Sequence, residues 1–217
     1  LRLTILEELE RIRSAIAMYR INGAKGLKES LQSTIGAVVS NPKEMKDIDL
    51  AVNRIKEAIN KEEKVIFFGD YDADGVTTAA LFYLGMKEIG FEVDVYLPNR
   101  FADGYGINPN KIEMLKEYHL VITGDVGIRE IDTIEQLVDK EKIDVIVTDH
   151  HEPNIVAKEN EHELPLNGKR VEVGSDVMVI PDCLAVVNPK RIDCNYPSED
   201  LSGVAVVLKL LQTLYKE

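Results

Sequence analysis

The chain has few cysteines, no tryptophan and no long apolar run. Cys183 and Cys194 are too few for a disulfide framework in 217 residues, and they lack the CxxC spacing of a metal or redox site. We therefore expect both to be ordinary thiols. No apolar stretch approaches the about 18 residues of a membrane span, and the first residues mix charges into a helical pattern unlike a signal peptide. The sequence thus predicts a cytoplasmic protein that has no membrane partner.

Positive charge is also scarce, since 26 Lys and Arg stand against 38 Asp and Glu, for a net charge of −12. This sign excludes a simple basic coat for nucleic acid, so a phosphate-bearing ligand requires local cations or a bound metal. The 45% of hydrophobic residues suffice for a globular core. The acidic excess is uneven, because residues 1–62 carry a net +2 and residues 63–217 a net −14.

Residues 1–62 are predicted to form a helical arm that packs on the rest of the chain. One apolar stripe has helical spacing and consists of Leu3, Leu6, Leu9, Ile12 and Ile16. A second predicted helix opens at Asn41-Pro42 and carries Ile48, Val52, Ile55 and Ile59.

From residue 64 onward, short apolar runs alternate with helical stretches. The predicted strands are 65–68, 93–97, 120–123, 143–147 and 184–187. The predicted helices are 76–89, 109–118, 131–140 and a last one that opens at Ser202-Gly203, with Val204, Val207, Leu208 and Leu211 on its buried side. This alternation predicts an α/β fold, namely a mostly parallel, about five-stranded, Rossmann-like sheet with helices on both faces.

Carboxylates and histidines follow three of the predicted strands. They are Asp70, Asp72 and Asp74 after the first strand, Asp125 after the third, and Asp149, His150 and His151 after the fourth. Because parallel strands deliver their carboxyl ends to one edge of the sheet, these groups are expected to lie close together. So many acidic groups repel one another unless cations are bound.

Oxygen ligands with one or two imidazoles suit Mn or Mg, and alternate residues of an extended segment point the same way about 7 Å apart. Two such ions activate water and polarise a phosphoryl oxygen. The pattern therefore favours metal-assisted phosphoester hydrolysis.

Five motifs in this order resemble the DHH phosphoesterase superfamily, and more narrowly its RecJ-like exonucleases specific for single-stranded DNA. The motifs are GDYDADG at 69–75, GDVG at 124–127, TDHHEP at 148–153, VVNPK at 186–190 and LSGVA at 201–205. The similarity runs from about Val65 to the end, with a break between Asn154 and Asp182. It implies that residues 63–217 are a DHH catalytic domain for 5′-to-3′ hydrolysis of single-stranded DNA in repair and recombination. A single-strand-binding protein or a repair helicase is the implied partner.

The resemblance also implies a metal site for two Mn or Mg ions. Asp72 and Asp74 would each hold one ion, Asp125 would bridge both, and His150 would complete the second site. Asp70 matches a further acidic position of the first motif.

The remaining candidate residues concern catalysis and substrate binding. His151 is expected to face the scissile phosphate, and Asp149 to orient a neighbouring histidine. Candidates for substrate contacts are Thr77, Arg100, Tyr105 and Lys190. Thr77 could equally well cap its helix. Arg100 could equally well form a surface ion pair. Lys190 and Arg191 would offer two cations beside the last strand.

Two departures from the family pattern remain open at this point. Residues 155–181 form an insert, with a predicted hairpin over 171–179 around Gly174-Ser175, and its role as lid, partner surface or neutral insertion is undecided. The family's fourth metal motif and second substrate-binding domain are not found in the 217 residues, which suggests an amino-terminal catalytic half.

Two alternative functions also stay open. One is a phosphoesterase for short oligonucleotides or cyclic dinucleotides, and the other is a non-catalytic replication scaffold. The retained Asp and His residues argue against the scaffold.

Overall fold

The structure is a computed structural model, and it describes residues 45–101, 104 and 106–216. The helices are α1 (Ile48–Asn60), α2 (Ala73–Glu88), α3 (Ile112–Leu115), α4 (Ile131–Glu135) and α5 (Gly203–Lys216). The strands are β1 (Val65–Gly69), β2 (Asp94–Tyr96), β3 (Leu120–Gly124), β4 (Asp144–Thr148), β5 (Asn154–Ala157), β6 (Lys169–Val173), β7 (Asp176–Ile180) and β8 (Ala185–Val187). The predicted stripe at Leu3–Ile16 and the predicted helix start at Asn41 lie outside these residues.

Five strands form one sheet in the order β2-β1-β3-β4-β8, and every neighbouring pair is parallel. Strands β1 and β3 are buried along their whole length, as an apolar run in a sheet covered on both faces requires. The predicted fold class is therefore confirmed, with each strand within a residue or two of its expected bounds.

Helices cover both faces of this sheet because successive strand residues point in opposite directions. Phe67 and Ile122 belong to one core cluster, with residues of α1, α2 and α5. Phe68 and Val121 belong to the other cluster, with residues of α3 and α4. Helix α1 is the described part of the predicted arm, and its apolar residues pack into the first cluster.

Three helices differ from their predictions. The predicted helix 131–140 consists of α4 followed by a π-helical segment at Gln136–Lys140. The predicted helix 109–118 consists of a 3₁₀ turn at Pro109–Lys111 followed by the single turn of α3. In α5, Val204 and Leu208 are only half-buried, whereas the buried stripe runs from Gly203 through Val206, Val207, Leu210, Leu211 and Leu214. Gly203 lies against Asp125, on the buried side of α5.

The insert forms a separate three-stranded antiparallel sheet in the order β5-β7-β6. The predicted hairpin is β6–β7, with Gly174 at φ 61°, a left-handed conformation that suits glycine. Strand β5 was not predicted. Both faces of β7 are buried, since Met178 packs into the core of the main sheet and Val177 packs with residues of α4 and the insert. Within the described ranges, no helix has the length and apolar character needed to cross a bilayer.

Candidate metal centre at the carboxyl edge of the sheet

Strands β1, β3 and β4 end side by side, and an aspartate follows each of them. Gly69 of β1 pairs with Gly124 of β3, and Gly124 pairs with Thr148 of β4. The next residues in the chain are Asp70, Asp125 and Asp149. The register of three parallel strands therefore places three carboxylates at one edge of the sheet, where open α/β sheets bind their ligands.

Two groups of metal-donor side chains form at this edge. Asp70, Asp72 and Asp125 bring one ligand atom each within 4.8 Å of one another, and Asp125, His150 and His151 do the same. Asp125 belongs to both groups. Such an arrangement is suited to two neighbouring divalent ions with one carboxylate between them.

Asp125 is held in a special conformation and carries a buried oxygen without a hydrogen bond. Its φ is 63°, and its backbone amide donates to the Thr148 carbonyl at 3.0 Å. Its side chain is only 1% exposed, and Oδ1 has no hydrogen-bond partner although His150 Nε2 lies 3.0 Å away. A buried carboxylate oxygen whose contact with an imidazole is not a well-aligned hydrogen bond is suited to a cation shared with that imidazole. The donor set of carboxylates and imidazoles fits Mn or Mg.

The charges of this edge are poorly balanced within the chain. Burial raises the pKa of Asp70 and of Asp125. The nearby Asp72 carboxylate also raises the pKa of Asp70, and the Asp74 carboxylate also raises the pKa of Asp125. The Asp125 carboxylate raises the pKa of His150. Crowded buried carboxylates hold protons more tightly, and divalent cations at this position would remove that cost.

Asp149 fixes the two histidines. Its Oδ1 accepts from the backbone amides of His150 at 2.7 Å and His151 at 3.1 Å and lies 2.8 Å from His151 Nδ1, while Oδ2 accepts from the Ile128 amide at 3.0 Å. Burial opposes ionisation of Asp149, but the hydrogen bonds from His151 and these amides keep its pKa below the ordinary value. The same contact raises the pKa of His151. When Nδ1 of the neutral ring donates to this carboxylate, Nε2 is left with its lone pair available.

Asp72 and Asp74 lie at the start of α2. Asp72 caps this helix by accepting from the Gly75 amide at 3.0 Å, and its side chain remains exposed. Asp74 accepts from the amides of Gly203 at 2.8 Å and Val204 at 3.0 Å, at the N-terminus of α5, and lies 3.6 Å from His150 Nε2. The structure thus brings Asp74 to the site, but outside both donor groups, with its two oxygens engaged by α5.

The four candidates for substrate contacts differ in their surroundings. Thr77 donates its hydroxyl to the carbonyls of Ala73 at 2.7 Å and Asp74 at 3.0 Å, and so bonds back to its own helix. The Arg100 guanidinium lies 5.6 Å from the centre of the Tyr71 ring, and Tyr71 separates Asp70 from Asp72 in the chain. Lys190 Nζ lies 3.0 Å from a carboxylate oxygen of Glu152. Tyr105 lies outside the described residues.

Arg191 does not offer the surface cation that was predicted from the sequence. Its side chain is 3% exposed, and it binds Asp47, Asp193 and the Val186 carbonyl. Its charge is used to hold the segment after β8 against the start of α1.

Two supporting residues of the site went unrecognised in the sequence. Asn188 is fully buried, donates to the His151 carbonyl at 3.0 Å and accepts from the Lys190 amide at 2.8 Å. Gly203 leaves no space for a side chain, since an added Cβ would lie 2.6 Å from Asp125 Oδ1. Neither role has a local signal, because each depends on a contact between distant segments.

The fold and the site define a class of protein. The model of the DHH family, N-terminal domain, matches residues 64–217, and the chain belongs to this family. Among curated relatives, the single-stranded-DNA-specific exonuclease RecJ of Bacillus subtilis is 39% identical over 180 residues, which is 82% of this chain and 20% of the relative. The same exonuclease of Haemophilus influenzae is 34% identical over 197 residues, or 89% of this chain and 30% of the relative.

Solved structures agree with these relatives. A crystal structure of exonuclease RecJ bound to manganese has a TM-score of 0.59 and 28% identity, and the match covers 79% of this chain and 38% of that one. RecJ of Thermus thermophilus in complex with Mn²⁺ has a TM-score of 0.56 and 25% identity. This match covers 79% of this chain and 21% of that one. The chain spans 20 to 30% of the length of the two curated relatives described above.

Proposed function

We propose that this chain contains the metal-binding half of an exonuclease that hydrolyses single-stranded DNA from its 5′ end, with two Mn or Mg ions as cofactors. The observation that carries the proposal is the pair of donor groups joined by Asp125. The relatives named as single-stranded-DNA-specific exonucleases and the manganese-bound neighbour support the substrate and the metal.

The residues would divide the work as follows. Asp70, Asp72, Asp125 and His150 would hold the ions, with Asp74 beside them. When bound, divalent ions at this edge supply an activated water and neutralise the charge that develops on the phosphate. Asp149 keeps the His151 ring in one orientation, so that the ring faces the scissile phosphate and can hold a proton there.

Three side chains are proposed to contact the DNA strand. Arg100 is positioned beside the metal-binding segment by the Tyr71 ring, and Lys190 extends from the segment after β8. Tyr105 would stack on a base or a sugar. Thr77 is a weaker candidate, because its hydroxyl already bonds to its own helix.

The process and the compartment follow from the substrate. Removal of single strands from a 5′ end belongs to DNA repair and recombination, where a single-strand-binding protein or a repair helicase exposes or coats the strand. The named relatives are bacterial, and such an enzyme works in the cytoplasm, where the chromosome lies.

The test combines metal binding with digestion. Calorimetry with MnCl₂ should show binding to the wild-type chain and its loss in Asp125→Ala. With Mn²⁺, a 5′-phosphorylated single strand labelled at its 5′ end should release labelled mononucleotide, whereas the same strand labelled at its 3′ end should release its label last. Cutting of circular single strands, or digestion unaffected by Asp125→Ala, would contradict the proposal.

Two comparisons separate the alternatives. Preference for a trinucleotide over a long strand would favour a phosphoesterase for short oligonucleotides. A wild-type chain that binds no Mn²⁺ in calorimetry would favour a scaffold without catalysis.

A further inference from the structure

One ion pair links the loop after β4 to the segment after β8, close to the metal-donor residues. Glu152 directly follows His151, and its Oε1 lies 3.0 Å from Lys190 Nζ. The backbone carbonyl of Glu152 accepts from Arg129 Nε at 2.8 Å. Glu152 therefore contacts the loops that follow both β3 and β8.

A buried amide holds the two partners of this ion pair in place. Asn188 donates to the carbonyl of His151, the residue before Glu152, and accepts from the backbone amide of Lys190. The Lys190 side chain is 22% exposed and that of Glu152 is 61% exposed. The Lys190 backbone is thus held beside residues 149–151. The Glu152 side chain is more exposed, so it can turn toward solvent without breaking a buried contact.

Lys190 is the cation that the segment after β8 presents at the surface. Its neighbour Arg191 is buried between Asp47 and Asp193. A phosphate that approaches the donor groups meets an edge rich in carboxylates, so the Lys190 ammonium and the Arg129 guanidinium beside Glu152 both help to attract it. The Glu152 carboxylate and a substrate phosphate would therefore compete for the Lys190 ammonium.

We infer that Glu152 competes with the substrate phosphate for Lys190 and thereby weakens the binding of single-stranded DNA. The inference rests on the proposed function, because the rival anion is the DNA backbone. An exposed ion pair is weak enough for a phosphate to displace it, and its removal changes an affinity by about two- to fivefold.

The experiment measures binding by fluorescence anisotropy, with the 217-residue chain, Mn²⁺ and a labelled phosphorothioate oligothymidylate that resists hydrolysis. Glu152→Gln keeps the side-chain length and should bind about two to five times more tightly than wild type. Glu163→Gln is the matched control, since it removes the same charge from an exposed position in the insert, and its affinity should equal that of wild type. Lys190→Gln should bind more weakly, with a salt dependence reduced by about one ion.

The double variant decides the mechanism. If Glu152 acts through Lys190, Glu152→Gln brings no gain in the Lys190→Gln background. A gain that persists there, or an equal gain from Glu163→Gln, means general charge repulsion and overturns the inference. Wild-type binding with no effect of Glu152→Gln overturns the inference alone, whereas no binding by any variant overturns the proposed function together with it.

Discussion

Two acidic regions of this molecule use their carboxylates in opposite ways. At the carboxyl edge of the main sheet, Asp70 and Asp125 are buried, and their pKa values are raised by that burial. In the insert, two acidic side chains lie toward the surface in ion pairs. Glu172 pairs with Lys158, and Glu161 pairs with Arg170. Net charge does not distinguish the two regions. Burial and the grouping of donor atoms around Asp125 distinguish them, and both features mark the first region as a cation site.

The largest expected effect is at Asp125, the donor that both groups share. Asp125→Asn removes the charge while keeping a residue type that tolerates a positive φ, so Mn²⁺ affinity in calorimetry should fall by more than about 100-fold. Because a crowded buried carboxylate is removed, the melting temperature of the metal-free protein should not fall. The control is Asp176→Asn in the insert, where Mn²⁺ affinity should stay unchanged. Retention of wild-type affinity by Asp125→Asn would remove the distinction between the two regions.

The next largest effect is expected at Gly203, where the start of α5 lies against Asp125. In Gly203→Ala the new methyl group would lie 2.6 Å from Asp125 Oδ1, so the carboxylate must shift. We expect Mn²⁺ affinity to fall by about 10- to 100-fold, as for other changes in the surroundings of metal ligands.

Gly174→Ala in the insert is the control for Gly203→Ala. That position has φ 61° and no atom within 4 Å of an added Cβ, so it should lose about 1 kcal/mol of stability without a change in metal affinity. Equal Mn²⁺ affinities of the two alanine variants would contradict a role for α5.

Opposite pH dependences are expected for stability and for metal binding. The raised pKa values of His150 and His151 contribute stability that is complete below their ordinary 6.5 and is lost as the pH rises through the raised values. The pKa values of Asp70 and Asp125 are raised from 3.8, so their ionisation costs stability as the pH rises from that value. The two histidines give the sign of the change at higher pH in the metal-free protein. Its melting temperature in chelator should therefore be lower at about pH 8 than at about pH 6.

Metal binding should follow the reverse trend over this range, because protons compete with the metal for the same ligands. Mn²⁺ affinity by calorimetry should thus rise from about pH 6 to about pH 8. Parallel changes in stability and affinity would show that these histidines and aspartates are not the metal ligands.

The smallest effect is expected in the insert. Glu172→Gln breaks the exposed pair with Lys158 and should leave the free energy of unfolding in urea nearly unchanged. Mn²⁺ affinity should not change. A loss above about 1 kcal/mol would mean that the charges of the insert are as coupled to the fold as those of the metal centre.

Much of the fold could be predicted because its signals are local. The apolar run at 65–68 and the turn residues Gly174-Ser175 predict a buried strand and a hairpin from a few neighbouring residues. Strand β5 was missed, since its four residues are only half-buried and owe their conformation to pairing with β7. The buried side of α5 was assigned incorrectly in part, because it depends on packing against the distant helices α1 and α2.

The sequence by itself determined the fold class, the edge at which the site lies and the residue types that form it, since apolar periodicity and side-chain chemistry are properties of short segments. Only the tertiary structure decided which of these residues act together. The register of β1, β3 and β4 makes Asp125 the shared donor, and the docking of α5 engages Asp74. Distances between side chains from distant segments depend on how strands pair and helices pack, and no local pattern contains them.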